Sequence, residues 1–267
     1  MLRPLAGAGV TAIQGQGGLA DLYAAERQQK DNLCGCFWAA LVLRAAGIDA
    51  DQDAVAVAAG AILPGGDPRT HVPPGASPRT DYRVELPVDG TPGVAGTAAP
   101  ALARAIERLA GGSLAALPVA GPWTGESVAA LLDASGAATL IANVRTGLLW
   151  GSRPDPGLVV EYLAGNEVDP PPADWDVGHF VGLASIIRGP GASLVVVRDT
   201  YQELGLRGHH LQPPDAVAAA LRRDDGREGG VLAVCAPPTA ADLRGTLEAQ
   251  GFQLRHWSNG TPDPGEE

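Results

Sequence analysis

Residues 28–48 read QQKDNLCGCFWAALVLRAAGI, and this stretch decides the fold. From Cys34 onward it is a helix. The run Phe37 to Leu43 is apolar nearly all round, the pattern of a helix buried on every side. Gly47 supplies the stop, and Asp31 and Asn32 stand where an N-terminal cap is wanted. Working outward, a short helix is expected over Gln52 to Ala59. Residues 60–97 are so crowded with Pro and Gly that they exclude a long helix. They are expected to form a surface excursion with one short strand, Tyr82 to Leu86. Helices are expected over 98–109 and 126–132. The period then changes. Residues 138–144 (ATLIANV), 179–187 (HFVGLASII), 194–197 (LVVV) and 231–235 read as core strands, with RGPGA at 188–192 turning between two of them. Residues 157–163 read as strand or loop. Helices at 213–223 and 239–250, a short strand at 252–257 and a polar tail complete the chain. Helices come first and mostly antiparallel strands follow, which is the order of an α+β fold.

Composition bounds the function. The chain has 267 residues, enough for one large domain or one domain with an appendage. With 45% hydrophobic and 18% charged residues, wholesale disorder is excluded. A net charge of −11, with Lys30 the only lysine, argues against nucleic acid as a partner. Three cysteines cannot staple a chain of this length, so a reducing compartment, the cytoplasm, is expected. The N-terminus lacks the apolar core of a signal peptide, and no run approaches the roughly 18 apolar residues of a membrane helix. No phosphate-binding glycine motif is present, and no cofactor is expected. The sequence is silent on the oligomeric state.

Four residues could carry chemistry. Cys34 lies at a helix N-terminus, where unpaired N–H groups and the helix dipole favour a thiolate nucleophile; the other reading is an inert packing thiol. Gln28, six residues earlier, could donate its amide to an oxyanion, with the Cys34 N–H as second donor, or could be an ordinary surface glutamine. His179 opens an apolar strand and could act as the base; His71, His209, His210 and His256 are its rivals, of which His209 and His210 fall in a polar loop. Asp199 ends the next strand. In an antiparallel pair the start of one strand lies beside the end of the next, so Asp199 could accept the Nδ1 proton of His179 and hold the ring. Alone it would read as a turn residue. A metal site from Cys34, Cys36 and a histidine is disfavoured, because Cys-x-Cys lacks the paired spacing of structural zinc motifs.

Together these motifs resemble the papain-like cysteine peptidases, and most of all the bacteriocin-processing, double-glycine leader peptidases and their stand-alone relatives. The order Gln28, Cys34-Gly35 at a helix start, Gly178-His179-Phe180-Val181, then Asp199 after the next strand is similar to the family order. Leu33 and Thr200 depart from the Asp and Pro usual at those positions. Cys-Gly-Cys-Phe-Trp-Ala also resembles the papain-type Cys-Gly-Ser-Cys-Trp-Ala, which would move the nucleophile to Cys36; the offset of Gln28 favours Cys34. The resemblance implies an N-terminal extension (1–27), a papain-like domain (28–235) and a C-terminal appendage (236–267). It also implies hydrolysis of a peptide or amide bond through a thioester on a peptide-like substrate. The alternatives are transfer of the acyl group to an amine, or a peptidase fold that binds peptides without cutting them. Substrate choice would lie in residues 60–97 and 145–176, where Trp150, Trp175 and, beyond them, Tyr201 either line a groove or pack a loop.

Overall fold

A computed structural model describes residues 11–12 and 17–265. Its strands are β1 (Thr11–Ala12), β2 (Leu63–Pro64), β3 (Val88–Asp89), β4 (Ala115–Val119), β5 (Thr139–Arg145), β6 (Gly178–Arg188), β7 (Ser193–Arg198), β8 (His209–Gln212) and β9 (Gly230–Cys235). Its helices are α1 (Gly17–Ala25), α2 (Cys34–Ala45), α3 (Gln52–Ala59), α4 (Ala99–Leu109), α5 (Gly125–Ala134), α6 (Pro156–Ala164), α7 (Pro214–Arg222) and α8 (Pro237–Ala249). The main sheet runs β4-β9-β5-β6-β7-β8, every neighbouring pair antiparallel, and β1 joins the far end of β6. The fold is α+β.

Helices cover both faces of this sheet, and the two-residue period of a strand sorts its side chains between them. Ile141, Phe180, Leu232 and Val234 face a core built with α1, α2, α3 and α4. Leu140, Ala142, Val181, Val231 and Ala233 face a second core built with α5, α7 and α8. With no wet face, the strands have no polar positions to alternate, so ATLIANV and LVVV read as continuous apolar runs. Helix α2 is enclosed by the sheet and by α1, α3 and α4, which accounts for its all-round apolar sequence.

Two glycines let α2 lie directly on β6. A Cβ at Gly35 would sit 2.9 Å from Leu102 and 3.2 Å from Phe180. A Cβ at Gly182 would sit 2.6 Å from the Trp38 ring, which is itself stacked on Tyr23. Gly182→Ala is therefore expected to destabilise the fold by about 1–3 kcal/mol, because the clash exceeds the roughly 0.4–1 kcal/mol gained from a stiffer unfolded chain. Urea denaturation at neutral pH measures it, and an unchanged midpoint would mean that Trp38 can step aside.

Several elements differ from expectation. Residues 157–163 are helical: the two valines suggest a strand, but Asp155 caps Gly157, Pro156 opens the helix and Gly165 ends it with a left-handed φ of 94°. No ladder forms at 82–86; instead Leu63–Pro64 pairs in parallel with Val88–Asp89. Only Gln253 of the expected 252–257 strand bridges, to Ala120. Residues 209–212, expected in a loop, form edge strand β8. Among the described residues no helix is long and apolar enough to cross a membrane.

Candidate active site

Cys34 is the first residue of α2. Leu33, at the N-cap, makes no side-chain cap, so the first-turn N–H groups stay open to a ligand. Neither expected cap serves. Asn32 adopts a left-handed φ of 62° and donates its amide to the Ile62 carbonyl, while Asp31 accepts the Arg79 N–H. The Cys34 sulfur accepts the backbone N–H of Phe180 at 3.4 Å, which sets it beside the start of β6.

His179 is 2% exposed. Its Nε2 lies 3.1 Å from Asp199 Oδ1 and 3.2 Å from Thr200 Oγ1. The single Thr200 hydroxyl proton goes to Gln29 Oε1, so a lone pair of Thr200 faces the ring. Both partners of Nε2 are then acceptors, and Nε2 carries a proton. The charge of Cys34 also acts on the ring, and with Nε2 committed to Asp199 and Thr200, Nδ1 is the nitrogen left for the sulfur. The ring is thus turned opposite to expectation: Asp199 holds it through Nε2, not Nδ1.

Asp199 is 2% exposed and is held from several sides. Its Oδ1 also accepts the Tyr201 N–H at 3.0 Å, and its carbonyl accepts the Tyr23 hydroxyl at 2.6 Å. Oδ2 lies 3.7 Å from Nε2 of His210. Gln212 donates to Nδ1 of His210 at 2.9 Å, so the proton of His210 sits on Nε2, facing the carboxylate. His210 is a rigid, buried part of β8, not a loop residue.

Burial works against charge on His179, but Asp199 and then Cys34 overcome it and raise the ring to about 10. Burial also opposes ionisation of Asp199, yet the charge of His179, its hydrogen bond and the nearby His210 hold the carboxyl far below the usual range. A ring raised from 6.5 to about 10 stabilises the fold fully below pH about 6.5 and loses that contribution as pH climbs through about 10. The difference in unfolding free energy between the wild type and His179→Gln should therefore shrink steadily over that window. A difference that stays flat with pH would mean an uncharged ring.

Gln28 is not part of this group. Its amide donates to the Ser77 carbonyl, in a cleft apart from the one Cys34 lines. Gln29 is the glutamine joined to His179, through Thr200, and its own N–H bonds the Thr200 carbonyl at 3.1 Å. Spacing points to Gln28; only the pairing with Thr200, made on folding, selects Gln29. Cys36 points elsewhere: it is fully buried 3.6 Å from Thr97 Oγ1, and burial pushes its thiol up to about 12. Of the two readings of the aromatics, a groove or loop packing, the groove is not found at Cys34: none of Trp150, Trp175 and Tyr201 lines the cavity there. Trp175 stands edge-on to His179 at 5.2 Å and to Tyr201 at 5.6 Å, covering the His179–Asp199 pair. Tyr201 is completely buried, and Trp150 packs on Tyr162.

Cys34 opens instead onto a cavity of about 420 Å³. One wall is the 60–97 excursion, including His71 and the loop Asp89 to Thr97; Asn143, Phe180 and Arg223 line the other. Segment 145–176 does not contribute. A partly exposed thiol at a helix start, a buried imidazole beside it and a carboxylate behind the ring define an α+β protein with a Cys-His-Asp constellation. Residues 13–258 match the DUF6885 family, a family of unknown function, and the chain belongs to it. No curated protein matches the chain.

Proposed function

We propose that this protein is a papain-like cysteine hydrolase that cleaves a peptide or amide bond through a thioester on Cys34. The observation that carries the reading is the placement of His179 between two partners. Its Nε2 is held by Asp199 and Thr200, the next residue, Phe180, gives its backbone N–H to the Cys34 sulfur, and Cys34 opens onto a cavity. His179 Nδ1 takes the Cys34 proton, and the sulfur attacks the amide carbonyl. The oxyanion is held at the helix start by the Cys34 N–H. The C–N bond then breaks, and His179 returns the proton to the leaving amine. Water attacks the thioester, gives one proton to His179 and releases a carboxylic acid, and the thiol is restored. Three free cysteines accord with a reducing location such as the cytoplasm.

The test is turnover of quenched fluorogenic peptide pools, read beside iodoacetamide labelling mapped by mass spectrometry. Time-dependent cleavage by the wild type, absent from Cys34→Ala, supports the hydrolase. Labelling of Cys34 no faster than free cysteine, with no cleavage of any pool, would overturn it in favour of a peptide-binding module.

A further inference from the structure

Two residues that line the Cys34 cavity each carry a buried polar atom with no partner among the described residues: Nη1 of Arg223 and Oδ1 of Asn143. The Arg223 side chain is only 1% exposed. Its Nε and Nη2 hold Asp225 at 3.0 and 2.6 Å, which leaves Nη1 over. The guanidinium lies against Gly178, the residue before His179, with nitrogens 3.2 Å from where a Cβ would stand. Arg227 also lines the cavity and comes within 3.8 Å of the same Asp225. Two cations thus share one acid there, in a chain whose net charge is −11. Asp89 also lines the cavity, and its carboxylate, which accepts the Thr91 N–H at 2.6 Å, is one acid set against these two arginines. Arg223 is held at φ 60° and ψ 170°, a conformation that favours glycine. The backbone is strained to keep an arginine at this place, where a glycine would relax it.

We propose that Arg223 is a substrate-binding residue that receives a carboxylate, so that the site's substrate is a carboxylate-bearing peptide or amide. Nη1 donates to the carboxylate, and Asn143 Oδ1 accepts a neighbouring N–H of the same molecule. The C-terminal residue of a peptide offers both groups; an acidic side chain offers the carboxylate from a second source. This inference rests on the hydrolase reading only for the identity of the cavity, so its test measures binding without turnover.

The probes are three pools of N-acetylated tripeptides, titrated calorimetrically into Cys34→Ala protein: free C-terminal acids, the same peptides amidated, and amidated peptides with an internal glutamate. The acids should bind roughly 10- to 100-fold tighter than their amides, the range of a charged hydrogen bond. Arg223→Gly, which suits the backbone and should fold, should erase that preference, and Arg223→Lys should keep part of it. If the glutamate pool matches the acids, the carboxylate comes from a side chain; if it binds like the plain amides, the carboxylate is the C-terminus. Equal binding of all three pools, or a preference that survives Arg223→Gly, would overturn the proposal. Acid-selective binding by a protein that cleaves nothing would keep the carboxylate site and remove the hydrolase.

Discussion

Cys34→Ala should abolish peptide cleavage, a loss of roughly 10⁴-fold or more, while leaving the denaturation midpoint close to that of the wild type. The sulfur at position 34 is partly exposed and makes one weak bond to the Phe180 N–H, so its removal opens little new cavity. Everything it contributes is chemical: it is the group that His179 faces. Cys36→Ser should behave in the opposite way. Its thiol is sealed in the α2–α4 core beside Thr97 and is pushed up to about 12 by burial, far from the thiolate that a nucleophile needs. A hydroxyl there costs about 1–3 kcal/mol of stability in so apolar a setting, with activity per folded molecule preserved. Steady-state rates normalised to folded protein decide between the two. If Cys36→Ser is inactive and Cys34→Ala retains turnover, the nucleophile is Cys36.

Lys30→Met should destabilise the protein by about 3–5 kcal/mol, the range for breaking a buried ion pair on one side. Lys30 and Asp53 are 7% and 2% exposed and lie 2.6 Å apart. The other oxygen of Asp53 has no partner among the described residues. Without Lys30 the carboxylate keeps only Arg83, whose side chain is 70% exposed. The same ammonium donates to the Asp81 carbonyl, Arg79 donates to the Gln28 carbonyl, and Tyr82 donates to that of Asp31. The excursion is thereby stapled to the segment that leads into Cys34. Lys30→Met should therefore also expose 77–83 to proteolysis. The double variant Lys30→Met/Asp53→Leu should recover most of the lost stability, since an apolar pair avoids the stranded charge. Denaturant midpoints of the three proteins form the test; a loss under about 1 kcal/mol would show a pair screened by water.

Asp199 illustrates what a linear reading reaches. Two adjacent apolar runs joined by a tight turn must pair antiparallel, and that pairing alone brings the end of one beside the start of the other, His179 to Asp199. The orientation of the ring was not legible in the same way. Whether Asp199 meets Nδ1 or Nε2 depends on Thr200 and Gln29, residues 171 apart that meet only after folding. Helix α6 reads as strand or loop because its valines favour a strand, although its cap and stop residues stand in the sequence. The 60–97 excursion was legible as irregular, but not as a wall of the Cys34 cavity, because it is held there by ion pairs and backbone bonds that leave no period in the sequence.

Sequence by itself determined the α+β class, the enclosed helix that begins at Cys34, the core strand that bears His179 and the one that leads into Asp199. Apolar periodicity and turn residues act locally, over the few positions that a helix turn or a hairpin spans. Tertiary structure alone decided that Gln29 rather than Gln28 joins the site, that Cys36 is sealed away, and that Arg223 lies at the same cavity as Cys34. Each of these depends on which side chains from distant segments converge on one small volume.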